Sequence, residues 1–287
     1  MLHKLLLTII ALATFLNSTL AQTSLQVKGM ENATAYILID AASNRILAEH
    51  NINQRLAPAS ITKLMTAYVV YQALATNTIN EDTRTVVSKK ARAQNGSRMF
   101  LELGSEVTID QLLHGLVIQS GNDAAVALAE AVAGSVDKFV VLMNKAGQVL
   151  GLENSHFKNP TGLPVQGHYM SAKDIATLAK AIITQFPKHY TLYKQKNFTW
   201  NKIKQGNRNV LLYTDNSVDG LKTGHTQEAG YCLAASALRN DMRLISVVLG
   251  TKTKGARARA SKAILSYGFD NFKQKTFFKT GEKVATA

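Results

Sequence analysis

A long helical region between two strand-rich regions limits the folds that this chain can adopt. Apolar residues recur at helical spacing in four segments, at 109–119, 123–132, 136–150 and 171–186. Strand patterns lie before and after this region, at 33–40, 46–50, 198–200, 220–223, 230–238 and 243–249, and a last helix is predicted at 256–267. We therefore predict an α+β fold. An antiparallel sheet would be built from both ends of the chain and flanked by N- and C-terminal helices, with an inserted all-helical subdomain at roughly 80–190.

The crevice between the sheet and the helical subdomain is where we expect a functional site, because ligand sites favour clefts between packed units. The chain has 287 residues, of which 46% are hydrophobic, and this is enough to bury a sizeable core. Neither a Gly/Ser-rich nor a Pro-rich linker divides it, and no internal repeat is visible. One large domain and two closely packed ones are both compatible with this length.

The first 21 residues are typical of a secretory signal peptide. Lys4 gives them a basic start, residues 5–16 are apolar, and small residues precede the predicted cleavage after Ala21. An uncleaved anchor is less favoured, because the apolar run is shorter than the ~20 residues that span a bilayer. The sequence thus predicts an exported protein.

The chain is strongly basic, with a net charge of +14 at pH 7. This charge suits an anionic partner, either a cell-wall or lipid surface or a nucleic acid. Export, scattered basic residues and the lack of a nucleic-acid motif argue against nucleic acid. The single cysteine, Cys232, allows no intrachain disulfide, and its strand-like surroundings predict a buried, inert thiol. The 7 histidines show no metal-ligand spacing, so neither a metal nor another cofactor is predicted.

A pair of residues that could carry chemistry lies at a predicted helix start. Pro58 and Ser60 are helix-start signals, and apolar residues follow them at helical spacing. Lys63 comes one turn after Ser60, so its amine can reach the serine hydroxyl. Such an amine can activate the hydroxyl when burial or another cation lowers its pKa. The alternative is a helix cap followed by a solvated lysine, and Ser-x-x-Lys recurs at Ser135 and Ser155.

Two further short motifs lie in suggestive places. Ser120-Gly121-Asn122 separates two predicted helices and offers a hydroxyl and an amide, although Ser and Asn also favour helix caps. Lys222-Thr223-Gly224 ends a predicted strand, where a cation and a hydroxyl can face a cleft. Lys-Thr-Gly recurs at 279–281, near the C-terminus, and we discount that copy.

The three motifs, in this order, resemble the signature of penicillin-binding proteins and serine β-lactamases. Longer stretches are similar to the low-molecular-mass D-alanyl-D-alanine carboxypeptidases. The similarity extends from about residue 33 to about residue 272, which is nearly the whole predicted mature chain. The stretches that carry it are 60–64, 116–125, 159–163 and 218–231.

The resemblance implies roles for the matching residues. Ser60 would attack the carbonyl between two D-alanines of a peptidoglycan stem peptide, and water would release the resulting acyl-enzyme. Lys63 would be the base, its pKa lowered by burial and by the Lys222 ammonium. Ser120 would relay a proton to the departing D-alanine, and Asn122 would orient Lys63 and the substrate amide. The substrate-binding residues would be Asn122, Lys222, Thr223, Gly224, His225 and Arg257.

The terminal carboxylate of the substrate would lie against Lys222, Thr223 and Arg257. The backbone N–H groups of Ser60 and His225 would form an oxyanion hole, so the resemblance gives His225 a backbone role and no role as an imidazole base. Penicillin, as a β-lactam, would acylate Ser60 and be released slowly. The expected partners are therefore peptidoglycan stem peptides and β-lactam antibiotics as covalent inhibitors.

The resemblance also implies domain boundaries and a location. We expect a signal peptide at 1–21, a catalytic domain at 22–272 and a C-terminal tail at 273–287, which is either the start of a further domain or the end of a soluble version without one. Similar carboxypeptidases continue into a β-rich second domain and an amphipathic membrane helix, and the residues up to Ala287 do not support membrane attachment. The expected location is the periplasm or the cell-wall side of the bacterial inner membrane.

Three alternatives share parts of this pattern. A β-lactamase would need a glutamate for fast deacylation, and Glu153 lacks the Glu-x-x-Leu-Asn pattern that accompanies it. A non-catalytic cell-wall-binding protein would have no physical need for Ser60, Lys63 and the other motif residues. A DD-endopeptidase stays open, because the same acyl-enzyme chemistry would serve both reactions.

Overall fold

The computed structural model describes residues 27–275. The predicted signal peptide and the predicted tail from residue 276 onward lie outside the described residues. The strands are β1 (Ala35–Asp40), β2 (Ile46–His50), β3 (Arg84–Val86), β4 (Glu106–Thr108), β5 (Asn197–Trp200), β6 (Ile203–Gly206), β7 (Val218–Thr226), β8 (Gly230–Arg239) and β9 (Met242–Thr251). The α-helices are α1 (Lys63–Ala75), α2 (Lys89–Arg92), α3 (Ile109–His114), α4 (Asn122–Ala133), α5 (Val136–Val149), α6 (Ala172–Gln185), α7 (Pro187–Tyr190), α8 (Leu211–Thr214) and α9 (Lys254–Asn271).

A five-stranded sheet joins the two ends of the described chain. Its strand order is β2-β1-β9-β8-β7, and all neighbours are antiparallel. Strand β1 pairs with β9 so that Ala35 faces Leu249 and Asp40 faces Leu244. The predicted α+β class, with one sheet shared by the first and last segments, is confirmed.

Both faces of the sheet are buried, and for this reason β1 reads as a continuous apolar run. Tyr36 and Leu38 belong to a core with Ile264 of α9, whereas Ile37 and Ile39 belong to the core shared with the helical region. Successive residues of a strand alternate between faces, so both cores draw on the same strand. Strand β1 is therefore buried at every position.

Helix α1 lies at the centre of the helical region and contacts α4, α5 and α6. Helix α6 also packs against β1 and β9, so it connects the helical region to the sheet. Ser171 caps α6, because its side chain accepts a hydrogen bond from the Asp174 N–H. Gly134 ends α4 with φ at 73°, a left-handed conformation that glycine adopts readily. Within residues 27–275, no helix has the length and apolar composition that crossing a bilayer requires.

The structure departs from the predicted elements at two places near the motifs. The predicted helix at 109–119 is α-helical only as far as His114 and continues as a π-helix, Gly115–Gln119. The predicted helix start at Ser60 is a 3₁₀ turn, Ala59–Thr62, and the α-helix begins at Lys63. In both places the backbone remains helical, but its hydrogen bonds span three or five residues where an α-helix spans four. The spacing of apolar residues does not distinguish these helix types.

Candidate active site

Ser60 and Lys63 stand together at the start of α1. The Nζ of Lys63 donates a hydrogen bond to the Ser60 Oγ at 3.1 Å. Ser60 lies in the 3₁₀ turn and lines a cleft of about 830 Å³, while Lys63 is only 1% exposed beneath it. The three-residue spacing thus places the two groups within reach, as the sequence predicts.

Two glycines allow the backbone on either side to approach the Ser60 turn closely. Gly162 has φ at +80°, and a Cβ there would come within 1.8 Å of the Ala59 carbonyl oxygen. Gly224 lies in β7, and a Cβ there would come within 2.9 Å of the Pro58 carbonyl oxygen. The turn is therefore held between β7 and the loop at 159–163.

The Lys63 amine has three oxygen neighbours in a defined arrangement. Besides the Ser60 hydroxyl, it donates to the Asn122 Oδ1 and to the Thr161 carbonyl oxygen, both at 2.6 Å. The Asn122 Nδ2 donates to the Asn95 carbonyl oxygen, which fixes Oδ1 towards Lys63. Two of the three neighbours can only accept, so a neutral amine keeps its two N–H groups there and turns its lone pair to the Ser60 hydroxyl. This is the geometry in which Lys63 can take the serine proton.

The surroundings of Lys63 favour its neutral form. The pKa of Lys63 is lowered from 10.5 to about 7, chiefly by burial and then by the positive charge of Arg208, while the charge of Asp123 opposes both. The predicted cation, Lys222, interacts with Lys63 and has its own pKa lowered by it, while Arg208 is the cation that lowers the pKa of Lys63. Arg208 lies in the loop after β6 and was not predicted to contribute.

Asp123 organises the loop that faces Ser60. Its carboxylate accepts the backbone N–H groups of Met99, Phe100 and Leu101 at 2.9 to 3.1 Å and is 1% exposed. Charge-assisted hydrogen bonds of this kind fix a loop backbone firmly. The neighbouring Asn122 N–H donates to the Ser97 carbonyl oxygen, at 2.7 Å. The loop is therefore built around two consecutive residues of α4.

Ser120 lies between the π-helix and α4. Its φ is 67°, which turns the chain sharply, and its side chain is 2% exposed. Its Oγ lines the cleft and has no hydrogen-bond partner among residues 27–275. A buried hydroxyl without a partner is uncommon, so this Oγ is available to a ligand or to a proton in transit.

The far wall of the cleft is cationic. Lys222 on β7 is 3% exposed, and among residues 27–275 its Nζ donates only to the Thr223 carbonyl oxygen. Burial lowers the pKa of Lys222 well below its ordinary value, and the charges of Lys63, Arg208 and Arg257 add to this. Arg257 of α9 is 5% exposed and lines the cleft together with Thr223. Several cations that converge without a carboxylate between them create a site for an anion.

The structure brings the nine predicted site residues together. Seven of them line the cleft, namely Ser60, Ser120, Asn122, Thr223, Gly224, His225 and Arg257. Lys63 and Lys222 lie just beneath its surface and act on each other electrostatically. The His225 ring stacks on the Tyr231 ring at a centroid distance of 3.9 Å. Within residues 27–275, no hydrogen bond joins the His225 ring to Ser60, whose Oγ accepts from Lys63.

Three residues of the site were not predicted to have roles. Asp123 directly follows a predicted motif, and Thr161 lies in the stretch 159–163 that carries the family resemblance, so a sequence signal was present for both. No sequence signal marks Arg208, because it belongs to a loop between short elements. It reaches the cleft, where its guanidinium donates a hydrogen bond to the Ser97 Oγ at 2.7 Å. Within residues 27–275, no three metal-ligating side chains come together. The prediction that no metal is needed stays a prediction.

The fold and the site define a class of protein: an α+β chain with a serine hydroxyl set against a buried lysine, in a cleft with a cationic wall. The chain belongs to the D-alanyl-D-alanine carboxypeptidase family, whose model matches residues 21–253.

Similar proteins carry the same family name. D-alanyl-D-alanine carboxypeptidase DacA of Escherichia coli K12 is 46% identical over 263 residues, which cover 89% of this chain and 65% of the relative. D-alanyl-D-alanine carboxypeptidase DacC of the same organism is 48% identical over 255 residues, which cover 86% of this chain and 64% of DacC. The chain thus spans a little less than two thirds of the length of these relatives.

Solved structures show the same architecture. Penicillin binding protein 5 from Haemophilus influenzae superposes with a TM-score of 0.83 at 45% identity, covering 84% of this chain and 72% of that one. A mutant of the Streptomyces K15 DD-transpeptidase superposes with a TM-score of 0.78 at 31% identity, covering 83% of this chain and 98% of that one. The resemblance to penicillin-binding proteins is confirmed.

Proposed function

We propose that this protein is a serine-type D-Ala-D-Ala carboxypeptidase that removes the terminal D-alanine from peptidoglycan stem pentapeptides. The observation that carries the proposal is the buried Lys63 amine, which faces the Ser60 hydroxyl with its other two positions occupied by acceptors. Family membership supplies the substrate class, and the cationic wall of the cleft suits a peptide with a free C-terminal carboxylate.

Acylation begins when neutral Lys63 takes the Ser60 proton. The Ser60 Oγ then bonds to the carbonyl carbon of the penultimate D-alanine, and negative charge develops on the carbonyl oxygen. The backbone N–H groups of Ser60 and His225 are our candidates for stabilising this oxyanion, a contribution worth about 3 kcal/mol per donor. Both residues line the cleft.

The intermediate then breaks its C–N bond. The proton held by Lys63 passes through the Ser120 hydroxyl to the leaving amine, which departs as D-alanine. Lys63 returns to its neutral form and can activate a water molecule, whose oxygen attacks the ester carbon. This step frees Ser60 and releases the shortened peptide, so that protons and bonds balance over the cycle.

Substrate binding follows from the cationic wall. Arg257, Lys222 and Thr223 hold the terminal carboxylate, and Arg208 strengthens the positive field around it. Asn122 orients Lys63 and the substrate amide, and Gly224 lets the β7 backbone lie close to the Ser60 turn. β-Lactam antibiotics, which carry a carboxylate beside a reactive carbonyl, would acylate the same serine.

We also infer that the protein is exported and works in the periplasm or at the cell-wall side of the inner membrane. The signal-like segment at 1–21 and the substrate class support this location. The catalytic domain would occupy 22–272, with the helical subdomain at roughly 80–190.

Intact-mass spectrometry after exposure to benzylpenicillin tests the proposal, with Ser60→Ala as the control. We expect one adduct of the mass of the drug on the wild type and none on the variant, together with D-alanine release from a pentapeptide by the wild type only. Hydrolysed drug without an adduct would indicate a β-lactamase, and intact drug without an adduct would favour a wall-binding protein.

A further inference from the structure

Arg208 stays at the cleft without a carboxylate to hold it. It lines the cleft, and its guanidinium donates a hydrogen bond to the Ser97 Oγ. Within the part of the chain that the structure describes, no acidic side chain forms an ion pair with it. The other cations of the cleft, Lys63, Lys222 and Arg257, repel it. One neutral hydroxyl is a weak counterpart to this repulsion, so the backbone that carries Arg208 must fix its position.

The residues on either side of Arg208 are buried asparagines. Asn207 is 8% exposed and Asn209 is 1% exposed, whereas Arg208 is exposed and the chain bends there. A buried amide is unfavourable unless its donors and its acceptor are hydrogen-bonded. The partners of these two amides therefore show what the asparagines do.

The Asn207 side chain ties this segment to the chain before β5. Its Nδ2 donates to the Gln195 carbonyl oxygen at 3.0 Å, and its backbone N–H donates to the Lys196 carbonyl oxygen at 2.8 Å. The Asn207 Oδ1 accepts the backbone N–H of Asn209, also at 3.0 Å. This amide thus spans the bend at Arg208 and fixes its shape.

The Asn209 side chain ties the same segment to β7. Its Nδ2 donates to the Gly220 carbonyl oxygen at 3.0 Å, and its Oδ1 accepts the Leu211 N–H at 3.2 Å. Gly220 comes shortly before Lys222 on that strand. The segment is therefore attached to the strand that forms the cationic wall of the cleft.

The backbone of Arg208 also contacts a second cation. Its carbonyl oxygen accepts a hydrogen bond from the Arg257 guanidinium at 3.5 Å. A movement of the segment would displace the Arg208 guanidinium and, with it, an acceptor of Arg257. The position of one short segment thus affects two of the cations that face an anionic substrate.

We propose that Asn207 and Asn209 are positioning residues for the cations of the active site. They fix the backbone on both sides of Arg208, so that its guanidinium stays at the cleft against the repulsion of the other cations. Neither asparagine lines the cleft, so both act through Arg208 and do not touch the substrate. The inference rests on the proposed function, and it adds two residues that act on the reaction from outside the cleft.

The protonation of Lys63 reports on the position of Arg208. The pKa of Lys63 is lowered chiefly by burial and then by the charge of Arg208. Within the described chain, the other charged groups that face the Lys63 amine are Asp123 of α4 and Lys222 of β7. Only Arg208 belongs to the segment that the two asparagines hold. If its guanidinium moves away from Lys63, the pKa of Lys63 must rise.

The pH midpoint of acylation by benzylpenicillin, measured between pH 5 and pH 9, tests the proposal. Asn207→Ala and Asn209→Ala should each move the midpoint to higher pH by about half a pH unit, in the direction expected for Arg208→Gln. Neither should add a shift when it is combined with Arg208→Gln, because the charge that it displaces is then absent. The midpoint does not depend on the fraction of active enzyme, so a partly unfolded preparation does not imitate the effect.

A second measurement compares benzylpenicillin with its methyl ester, which lacks the carboxylate. The ratio of the two acylation rates measures how strongly the cations favour the free acid. Asn207→Ala and Asn209→Ala should each lower this ratio by about threefold. Ser171→Ala is the matched control, because it removes a buried hydrogen bond at the start of α6 and displaces no cation of the cleft. It should keep both the ratio and the midpoint of the wild type.

The outcomes separate this inference from the function on which it rests. Unchanged midpoints and ratios in Asn207→Ala and Asn209→Ala would overturn the positioning role and leave the carboxypeptidase in place. Shifts that persist in the Arg208→Gln background would also overturn it, since the asparagines would then act through another group. If the wild type forms no adduct with benzylpenicillin at any pH and releases no D-alanine from a pentapeptide, the proposed function itself falls.

Discussion

At the scale of single residues, Lys63 carries most of the chemical argument. It is a lysine held where its charge is unfavourable, with an amide oxygen and a carbonyl oxygen to keep its amine in place. An amine whose pKa is lowered to about 7 is a weaker base than an ordinary lysine, but about half of it is neutral at pH 7 and able to accept the proton of the adjacent hydroxyl. Its protonation state should therefore govern the rate.

The first prediction is a pH dependence of acylation by benzylpenicillin. The neutral amine is the active form, and the pKa of Lys63 is lowered to about 7, so the acylation rate should rise with pH, reach half its maximum near pH 7 and level off above it. Stopped-flow or quenched mass spectrometry between pH 5 and pH 9 measures this. A rate that does not vary over this range would exclude Lys63 as the base.

The second prediction concerns the two charges that act on Lys63. Arg208 lowers the pKa of Lys63 and Asp123 raises it. The midpoint of the acylation profile should therefore move to higher pH in Arg208→Gln and to lower pH in Asp123→Asn. The midpoint is read independently of the maximal rate, so weaker binding of the drug or a looser loop does not imitate the effect. Shifts in the same direction would contradict the electrostatic explanation.

At the scale of elements, the 3₁₀ turn that carries Ser60 depends on the loop at 159–163. The Asn159 side chain accepts hydrogen bonds from Thr161 and Gly162, which presents the Thr161 carbonyl oxygen to Lys63. Gly162 is the point of closest approach to the turn. A substitution at Gly162 therefore affects Lys63 through the position of the Thr161 carbonyl oxygen, without direct contact between the two residues.

The third prediction is that Gly162→Ala separates the loop from the turn. The added Cβ meets the Ala59 carbonyl oxygen, so the loop must move and withdraw an acceptor from Lys63. Acylation should slow by about tenfold or more. Gly104→Ala is the matched control, because Gly104 also has a positive φ, at 76°, but a Cβ there meets nothing within 4 Å. The control should lose about 1 kcal/mol of stability and keep its rate.

A buried histidine also holds this turn in place. The His168 Nδ1 accepts the Lys158 N–H, so its Nε2–H donates to the Thr62 hydroxyl at 2.8 Å. Burial lowers the pKa of His168 to about 4, with a smaller effect from His156. A second ring proton would face the Lys158 N–H, so the folded state keeps the ring neutral.

The fourth prediction follows from this histidine. Its folded-state pKa lies below the ordinary value of 6.5, so the unfolded chain binds the proton more readily and stability falls as the pH drops from 6.5 to 4. The loss attributable to His168 should total about 3 kcal/mol. Urea unfolding of the wild type and of His168→Gln measures it as a difference, since His156 and His189 titrate in both proteins. Parallel pH curves for the two proteins would contradict the prediction.

Sequence patterns predicted the long elements well and the local geometry of the site less well. Helices α4, α5 and α6 and the hairpin of β1 and β2 follow from apolar spacing and caps. The short pieces α2, α7, α8 and β6 were missed, because four residues are too few to show a period. Ser60, Lys63 and Lys222 were recognisable by motif, whereas Arg208 was not, since only tertiary packing brings its loop to the cleft.

At the scale of the whole molecule, the site gathers like charges at the junction of the sheet and the helical region. Lys63 belongs to α1, Lys222 to the edge strand β7 and Arg257 to α9, so folding itself brings these cations together. Burying cations beside one another opposes folding, and the two apolar cores must offset this. The buried cations therefore form an anion site and at the same time lower the free energy of unfolding.

The fifth prediction is that removing one of these cations stabilises the protein. Lys222→Met nearly keeps the length of the side chain and removes a buried amine whose only hydrogen bond within the described part of the chain goes to the neighbouring Thr223 carbonyl. The free energy of unfolding at pH 7 should rise by about 1–2 kcal/mol, while acylation by benzylpenicillin falls by about a hundredfold or more, because the drug carboxylate loses its partner. Chemical denaturation and acylation kinetics on the same samples measure both quantities.

The sign and the pH range of this gain follow from the pKa of Lys222. Burial and three neighbouring cations hold that pKa well below 10.5, so the unfolded chain takes up the proton more readily and the wild type is penalised below pH 10.5. The advantage of Lys222→Met should therefore be present at pH 7 and shrink as the pH rises towards 10.5. Lys145→Met, on the exposed face of α5, should change stability by less than about 0.5 kcal/mol at either pH. If Lys222→Met is less stable than the wild type at pH 7, the lysine contributes to holding the sheet and the helical region together. The anion site would then not lower the free energy of unfolding, and the prediction would be wrong.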